Sequence, residues 1–248
     1  GWSIICAIST LPFLISGAIP SFTDAYFEMM SGFTTTGATI LNDIESLDHG
    51  LLMWRSETHF LGGMGFLTLT MIFLPHGMAG ANLFRSESSP GQVITRERFL
   101  PRNRDAMIWL WILYTIMNGF NILLLWLGGM NWFDSICHAF STVATAGFST
   151  KNASMAHYGS VYFDWVTIVF MMLGGVTFML YYHMLKGHWK VVWKNTELRW
   201  YLGISLFFCS MVSLILWHSE SYLSFFDAIR HGTFQVVSLL TTTGLITS

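Results

Sequence analysis

The feature that most constrains this chain is a short element written three times. The copies are SFTDAYFEMMSGFTTTGAT (Ser21–Thr39), WFDSICHAFSTVATAGFST (Trp132–Thr150) and FFDAIRHGTFQVVSLLTTTGLIT (Phe225–Thr247). Each opens on an aromatic-acid pair or a close relative, runs through apolar residues, and closes on small residues and a glycine. Gly37, Gly147 and Gly244 are 110 and 97 residues apart, so the chain carries an internal repeat of about a hundred residues. Asp24 to Gly37 and Asp134 to Gly147 both measure thirteen residues, whereas Asp227 to Gly244 measures seventeen, longer by about one helical turn. Each element is too short to cross a bilayer as a helix and too apolar for a free loop. That predicts a half-helix entering from one side with a non-helical return, allowed at membrane depth only where it is buried in protein or lines water.

A bilayer follows from composition. The chain is 53% hydrophobic and 10% charged, with mean hydropathy +0.52 and eleven Trp, which leaves too little polar surface for a soluble domain. A net charge of -2 offers no basic field for nucleic acid. Five apolar stretches are expected to span: Trp2–Ile19, Leu51–Leu74, Ala106–Leu127, Val161–Leu185 and Leu198–Trp217. Nine of the twelve cations fall in two connections, Arg85, Arg96, Arg98, Arg102 and Arg104 in one and Lys186, Lys190, Lys194 and Arg199 in the other. The positive-inside tendency places both in the cytoplasm. Asp24, Asp43, Glu45, Asp48, Asp134, Glu220 and Asp227 gather on the opposite side. Cys6, Cys137 and Cys209 are far apart and read as buried thiols. Both ends read as cut, since no initiator Met or signal peptide is present and the chain stops four residues after its last TTTG.

The chemistry of the element suits a cation. Asp24 and Asp134 read as caps or first-turn acids. The opposite, partially negative end of each half-helix would point toward the membrane centre. Thr34-Thr35-Thr36-Gly37, Ala144-Thr145-Ala146-Gly147 and Thr241-Thr242-Thr243-Gly244 follow it. Small β-branched or hydroxyl residues are expected to keep these strands extended with carbonyl oxygens turned inward. Glycine supplies the positive φ that keeps the next carbonyl aligned, and rings of carbonyls can replace an ion's hydration shell. A Thr/Gly packing seam explains one such motif; three in register speak against it.

The remaining polar groups and glycines each admit a functional and a packing reading. Glu28, His138 and Gln235 each stand nine residues before a repeat glycine, a register that suits bracing the strand from behind, as it suits a wet outer vestibule. Arg55, near the outer start of a span with Glu57 and His59, either braces the filter or snorkels outward. Gly62-Gly63-Met64-Gly65 and Gly174-Gly175 read as close helix packing rather than phosphate loops. His183 and His188, beside Tyr181, Tyr182 and Trp189, read as interface anchors. Neither a catalytic triad nor an HExxH is written in the sequence, so an enzyme is not expected.

The segments FEMMSGFTTTGAT, LGGMGFLTLTMIFLP, FDSICHAFSTVATAGFST and FFDAIRHGTFQVVSLLTTTG resemble, in order, those of the Trk/Ktr/HKT superfamily of potassium transporters, and most closely its bacterial TrkH-type uptake subunit. The resemblance implies an all-α integral membrane protein, with membrane-helix/pore-helix/membrane-helix units around a pseudo-fourfold pore. It implies multi-pass insertion in the cytoplasmic (inner) membrane of a bacterium, K+ as the transported ion, and no bound cofactor. It implies a homodimer docked on a cytoplasmic nucleotide-binding regulatory subunit of the TrkA/KtrA kind, in contact with lipid and not with nucleic acid. The expected units are residues 1–75, 105–185 and 198–248, joined by cytoplasmic loops 76–104 and 186–197, with a fourth unit and the gate beyond the chain. The filter is then expected at Thr35, Thr36, Gly37, Thr145, Ala146, Gly147, Thr242, Thr243 and Gly244, supported by Glu28, Arg55, His138 and Gln235. Ala144 and Ala146 stand where hydroxyls occur in the other copies, which points to backbone rather than side-chain coordination. Two alternatives stay open: a K+/Na+ symporter of the same superfamily, and a haem- or metal-binding membrane enzyme.

Overall fold

A computed structural model of the chain describes residues 1–73, 103–219 and 224–247. Arg85, Arg96, Arg98 and Arg102 of the basic connection, and Glu220, lie outside the described residues, as does the side chain of Arg104. Regular structure among the described residues is helical: α1 Trp2–Ser9, α2 Leu11–Ser16, α3 Phe22–Phe33, α4 His49–Phe73, α5 Asn103–Leu127, α6 Trp132–Val143, α7 Val161–Gly174, α8 Phe178–Leu185, α9 Trp189–Lys194, α10 Thr196–His218 and α11 Phe225–Leu240, with a 3-10 turn at Ser154–Tyr158.

One rhythm recurs three times, an apolar helix followed by a short helix and an irregular return: α1/α2 with α3, α5 with α6, and α10 with α11. Helices α3 and α6 have twelve residues each and α11 has sixteen, the extra turn announced by the wider Asp227–Gly244 spacing. Asp24, Asp134 and Asp227 all lie in first turns, where a carboxylate meets the positive end of the helix dipole. The caps themselves are neighbours: the Ser21 side chain accepts from the Asp24 N–H and that of Asn131 from the Phe133 N–H.

Two expected spans are interrupted. The first is split at Thr10, because Pro12 has no N–H with which to continue the helical ladder; Thr10 Oγ1 donates instead to the Ala7 carbonyl at 2.7 Å. The stretch Val161–Leu185 breaks between α7 and α8, where the chain runs against other backbones. A Cβ on Gly174 would stand 2.9 Å from both the Val143 carbonyl oxygen and Thr145 Cγ2, and one on Gly175 would stand 2.7 Å from Tyr201 Oη. Carbonyls at the break still need donors: Met172 accepts from Tyr201 at 3.2 Å, and Leu173, which takes the Val176 N–H at 3.2 Å, accepts also from Tyr181 at 2.5 Å.

The apolar core lies at the junctions. Phe13, Met29 and Phe33 join α2 to α3; Met64, Tyr114, Val143 and Phe170 join α4, α5, α6 and α7; Leu125, Met155, Phe163, Met171, Phe234 and Leu245 join α5 and α7 to α11 and its return. Glycines of α4 set these distances. A Cβ on Gly62 would collide with the Phe33 carbonyl at the end of α3, and one on Gly63 would stand 2.8 Å from Tyr114 Oη. Helix α10 packs on α9 and α11 and exposes Trp200, Leu206, Phe207, Leu214 and Ile215, a face suited to hydrocarbon rather than water.

Candidate ion-selectivity site

The three short helices end in the same way. Thr36 N–H returns to the Ser31 carbonyl at 2.9 Å, Ala146 N–H to Ser141 at 2.8 Å and Thr243 N–H to Ser238 at 2.8 Å. The preceding N–H groups of Thr35, Thr145 and Thr242 reach Gly32, Thr142 and Leu239, each at 3.1 Å. This six-to-one and five-to-two pairing is the Schellman closure of a helix, and it requires a left-handed residue at its centre. That residue is Thr35, Thr145 or Thr242, with φ of 52°, 51° and 59°. The strands are therefore not extended from their first residue, as expected from their β-branched composition: closing the half-helix overrides that preference at a strain of about 1–3 kcal/mol per residue. The glycines two positions later also take positive φ, 75°, 105° and 77°.

The three strands lie side by side. A Cβ on Gly37 would run into the carbonyl oxygen of Ala146, and one on Gly147 into that of Thr243, while one on Gly244 would meet no atom within 4 Å. The N–H groups of the second and third glycines are turned back toward the helices, Gly147 N–H reaching Ser141 Oγ at 2.9 Å and Gly244 N–H the Ser238 carbonyl at 3.4 Å. Among the described residues, none of the carbonyls of Thr35, Thr36, Gly37, Thr145, Ala146, Gly147, Thr242, Thr243 or Gly244 accepts a hydrogen bond. Ser238 Oγ donates to the Leu245 carbonyl at 2.7 Å. Ser31, Ser141 and Ser238 each stand six residues before their glycine. That register was visible in the sequence and was missed.

Hydroxyls in the strands bind each other. Thr34 and Thr36 Oγ1 are 2.8 Å apart, Thr241 and Thr243 Oγ1 2.7 Å apart, and the first of each pair also donates to its helix, to Met30 and Val237. In the second copy both members are alanine, Ala144 and Ala146, both buried. Removing both partners leaves no polar atom unsatisfied.

Behind the first strand, Glu28 and Arg55 form a buried ion pair, with Arg55 Nε and Nη2 both 2.8 Å from Glu28 Oε1. Such a pair is tolerated because the remaining groups are also satisfied. Glu28 accepts from Thr39 Oγ1 at 2.9 Å and from Ile40 N–H at 3.1 Å. Arg55 Nη1 donates across to the Ser149 carbonyl at 3.3 Å. In the second copy His138 lies between the Asp134 carbonyl, 2.8 Å from Nδ1, and Ser149 Oγ, 2.9 Å from Nε2. Gln235 is half-buried and has no matching partner among the described residues, because Ile246 stands where the others have Thr39 and Ser149. His231 occupies that role one turn earlier, its Nδ1 3.1 Å from Thr247 Oγ1.

The copies are also stitched to one another. Asn152 accepts from Ile44 N–H at 2.6 Å, donates to Asp43 at 2.9 Å, and gives its own N–H to Glu45 at 3.1 Å. Ser154 Oγ accepts from Ile246 N–H at 3.3 Å, and Arg230 pairs with Asp164 at 3.3 Å. These cross-links carried no sequence signal, since a register within one copy says nothing about contacts between copies.

Three half-helices closing alike, with glycine-ended strands abutting one another in an apolar helical frame, define a polytopic membrane protein built on re-entrant segments. The chain belongs to the TrkH family: the family model, described as a cation transport protein, matches residues 1–248. It is 36% identical to the Trk system potassium uptake protein TrkH of Salmonella typhimurium over 99% of this chain and 51% of that protein. It is 35% identical to TrkG of Escherichia coli over the same shares. Its fold is similar to the crystal structure of the potassium transporter TrkH from Vibrio parahaemolyticus, with a TM-score of 0.86 and 34% identity, over 100% of this chain and 50% of that one. The chain thus spans about half the length of the curated relatives it matches. The relatives it matches are named as potassium uptake proteins.

Proposed function

We propose that this chain supplies three of the filter strands of a potassium uptake pore, with backbone carbonyls of Thr35, Thr36, Gly37, Thr145, Ala146, Gly147, Thr242, Thr243 and Gly244 replacing the hydration shell of K+. The observation that carries the reading is the polarity of the strands: eight of the nine N–H groups, all but that of Gly37, bond back to the half-helices, while all nine carbonyls accept nothing among the described residues. Carbonyl dipoles arranged in rings suit a monovalent cation, and the C-terminal ends of three half-helices add partial negative charge. The relatives' names, potassium uptake proteins of a Trk system, favour K+ as the cargo.

The ion needs no cofactor on this reading. Insertion in a bacterial cytoplasmic membrane with the two basic connections inside follows the positive-inside tendency. A homodimer and a TrkA/KtrA-like nucleotide-binding regulator are proposed on family resemblance. The test is Gly37→Ser in the full-length protein, assayed in cells lacking other potassium uptake. K+ uptake should be lost, or Na+ should compete with it; wild-type uptake and discrimination would sink the assignment.

A further inference from the structure

Phe148, the residue directly after Gly147, is 2% exposed, and its ring is held by another copy of the repeat. The Arg55 guanidinium carbon lies 4.0 Å from the ring centroid. The His59 ring stacks on it with centroids 4.2 Å apart and planes at 26°. Gly32 of α3 leaves the room: a Cβ there would stand 3.5 Å from Phe148 Cε2 and would collide with Thr58 Oγ1. Arg55 and His59 are four residues apart on α4 and so share a face.

Arg55 is accounted for by its bonds to Glu28, Thr39 and Ser149. His59 is not. It is fully buried, and neither ring nitrogen has a hydrogen-bond partner among the described residues. An unsatisfied buried imidazole is unfavourable, so what this side chain contributes at 4.2 Å from Phe148 is its flat face. The second strand is also the one lacking the threonine pair, so its geometry depends on contacts from outside.

We propose that His59 is a positioning residue for the second filter strand: stacked on Phe148, it fixes the residue after Gly147 and thereby the seating of the Ala146 carbonyl against Gly37. The proposal rests on the filter reading above. The residues in the equivalent place show how particular this is: Leu245 is buried among core residues of α5, α7 and α11, while Ala38 is exposed.

The experiment compares His59→Phe, His59→Leu, His59→Ala and Phe148→Leu in the full-length protein, with Gly147→Ser as reference. It measures K+ uptake, Na+ competition and the amount of membrane-inserted protein. His59→Phe should keep K+/Na+ discrimination within about twofold of wild type, while His59→Leu, His59→Ala and Phe148→Leu each lower it about three- to tenfold, the scale of one lost aromatic stack. The double variant His59→Ala/Phe148→Leu should be no worse than the worse single, as expected of one shared contact. Unchanged discrimination in His59→Leu and His59→Ala beside a damaged Gly147→Ser overturns the proposal and leaves the filter reading standing. A His59→Phe as poor as His59→Ala overturns it too, because the nitrogens would then matter. A silent Gly147→Ser removes the filter reading and this proposal with it. Should His59→Ala fail to insert, Phe148→Leu decides by the same criterion.

Discussion

The second and third strands share one backbone shape and hold it differently. The third is tied within itself: Thr241 and Thr243 bond each other, and Ser238 grips the Leu245 carbonyl. The second has alanines at both threonine positions and is held from around: Arg55 on the Ser149 carbonyl, His138 on the Ser149 hydroxyl, Asn152 on the loop of the first copy, and Arg55 and His59 on Phe148. What the copies have in common is therefore geometry, while the means of enforcing it depend on what stands next door. A strand with neighbours on both sides can dispense with the threonine pair, keeping only the ties from Ser141 and His138 of its own helix.

This contrast can be broken in graded ways. The largest effect should come from Arg55→Met, which leaves Glu28 charged and unpaired in a dry site at a loss of about 3–5 kcal/mol; thermal unfolding of detergent-solubilised protein would show it, and Glu28→Leu in the same chain should recover much of it. Next, Thr241→Ala should cost about 1–3 kcal/mol by stranding the buried Thr243 hydroxyl, whereas Thr241→Ala/Thr243→Ala, which copies the second strand, should be closer to wild type in the same melt. Asn152→Ala should lower stability by about 1 kcal/mol, since its bonds lie near the surface, and leave K+ uptake intact. Smallest should be Thr34→Ala/Thr36→Ala, within about 0.5 kcal/mol, because that pair is exposed; a large loss there would mean that the first strand's hydroxyls do more than tie each other.

How much of this could be read beforehand follows from where the information lies. The half-helices, their lengths and first-turn acids, and the glycines were legible because each is a pattern within one copy, repeated three times. The register of Glu28 and His138 was legible for the same reason. At Gln235 the same register meets Ile246 at the matching position, and the His231–Thr247 contact lies one turn earlier. Left-handed threonines escaped notice because β-branched residues suggest extended backbone, and only the carbonyls at Ser31, Ser141 and Ser238 reveal the closure that forces them over. The breaks at Thr10 and Gly175 were hidden by continuous hydrophobicity, which reports burial in an apolar medium and not helix continuity. Asn152, Ser154, Arg230 with Asp164, and Phe148 with His59 join copies far apart in sequence, so no single segment announces them.

The contact of Gly37 with the Ala146 carbonyl, and of Gly147 with that of Thr243, has one further consequence. Laid this way, the strands overlap like roof tiles, the first resting its bare Cα on the edge of the second and the second on that of the third. A tile that slips from its place takes away the support of the one lying on it. A lesion in the third strand should therefore be felt by the second before it reaches the first.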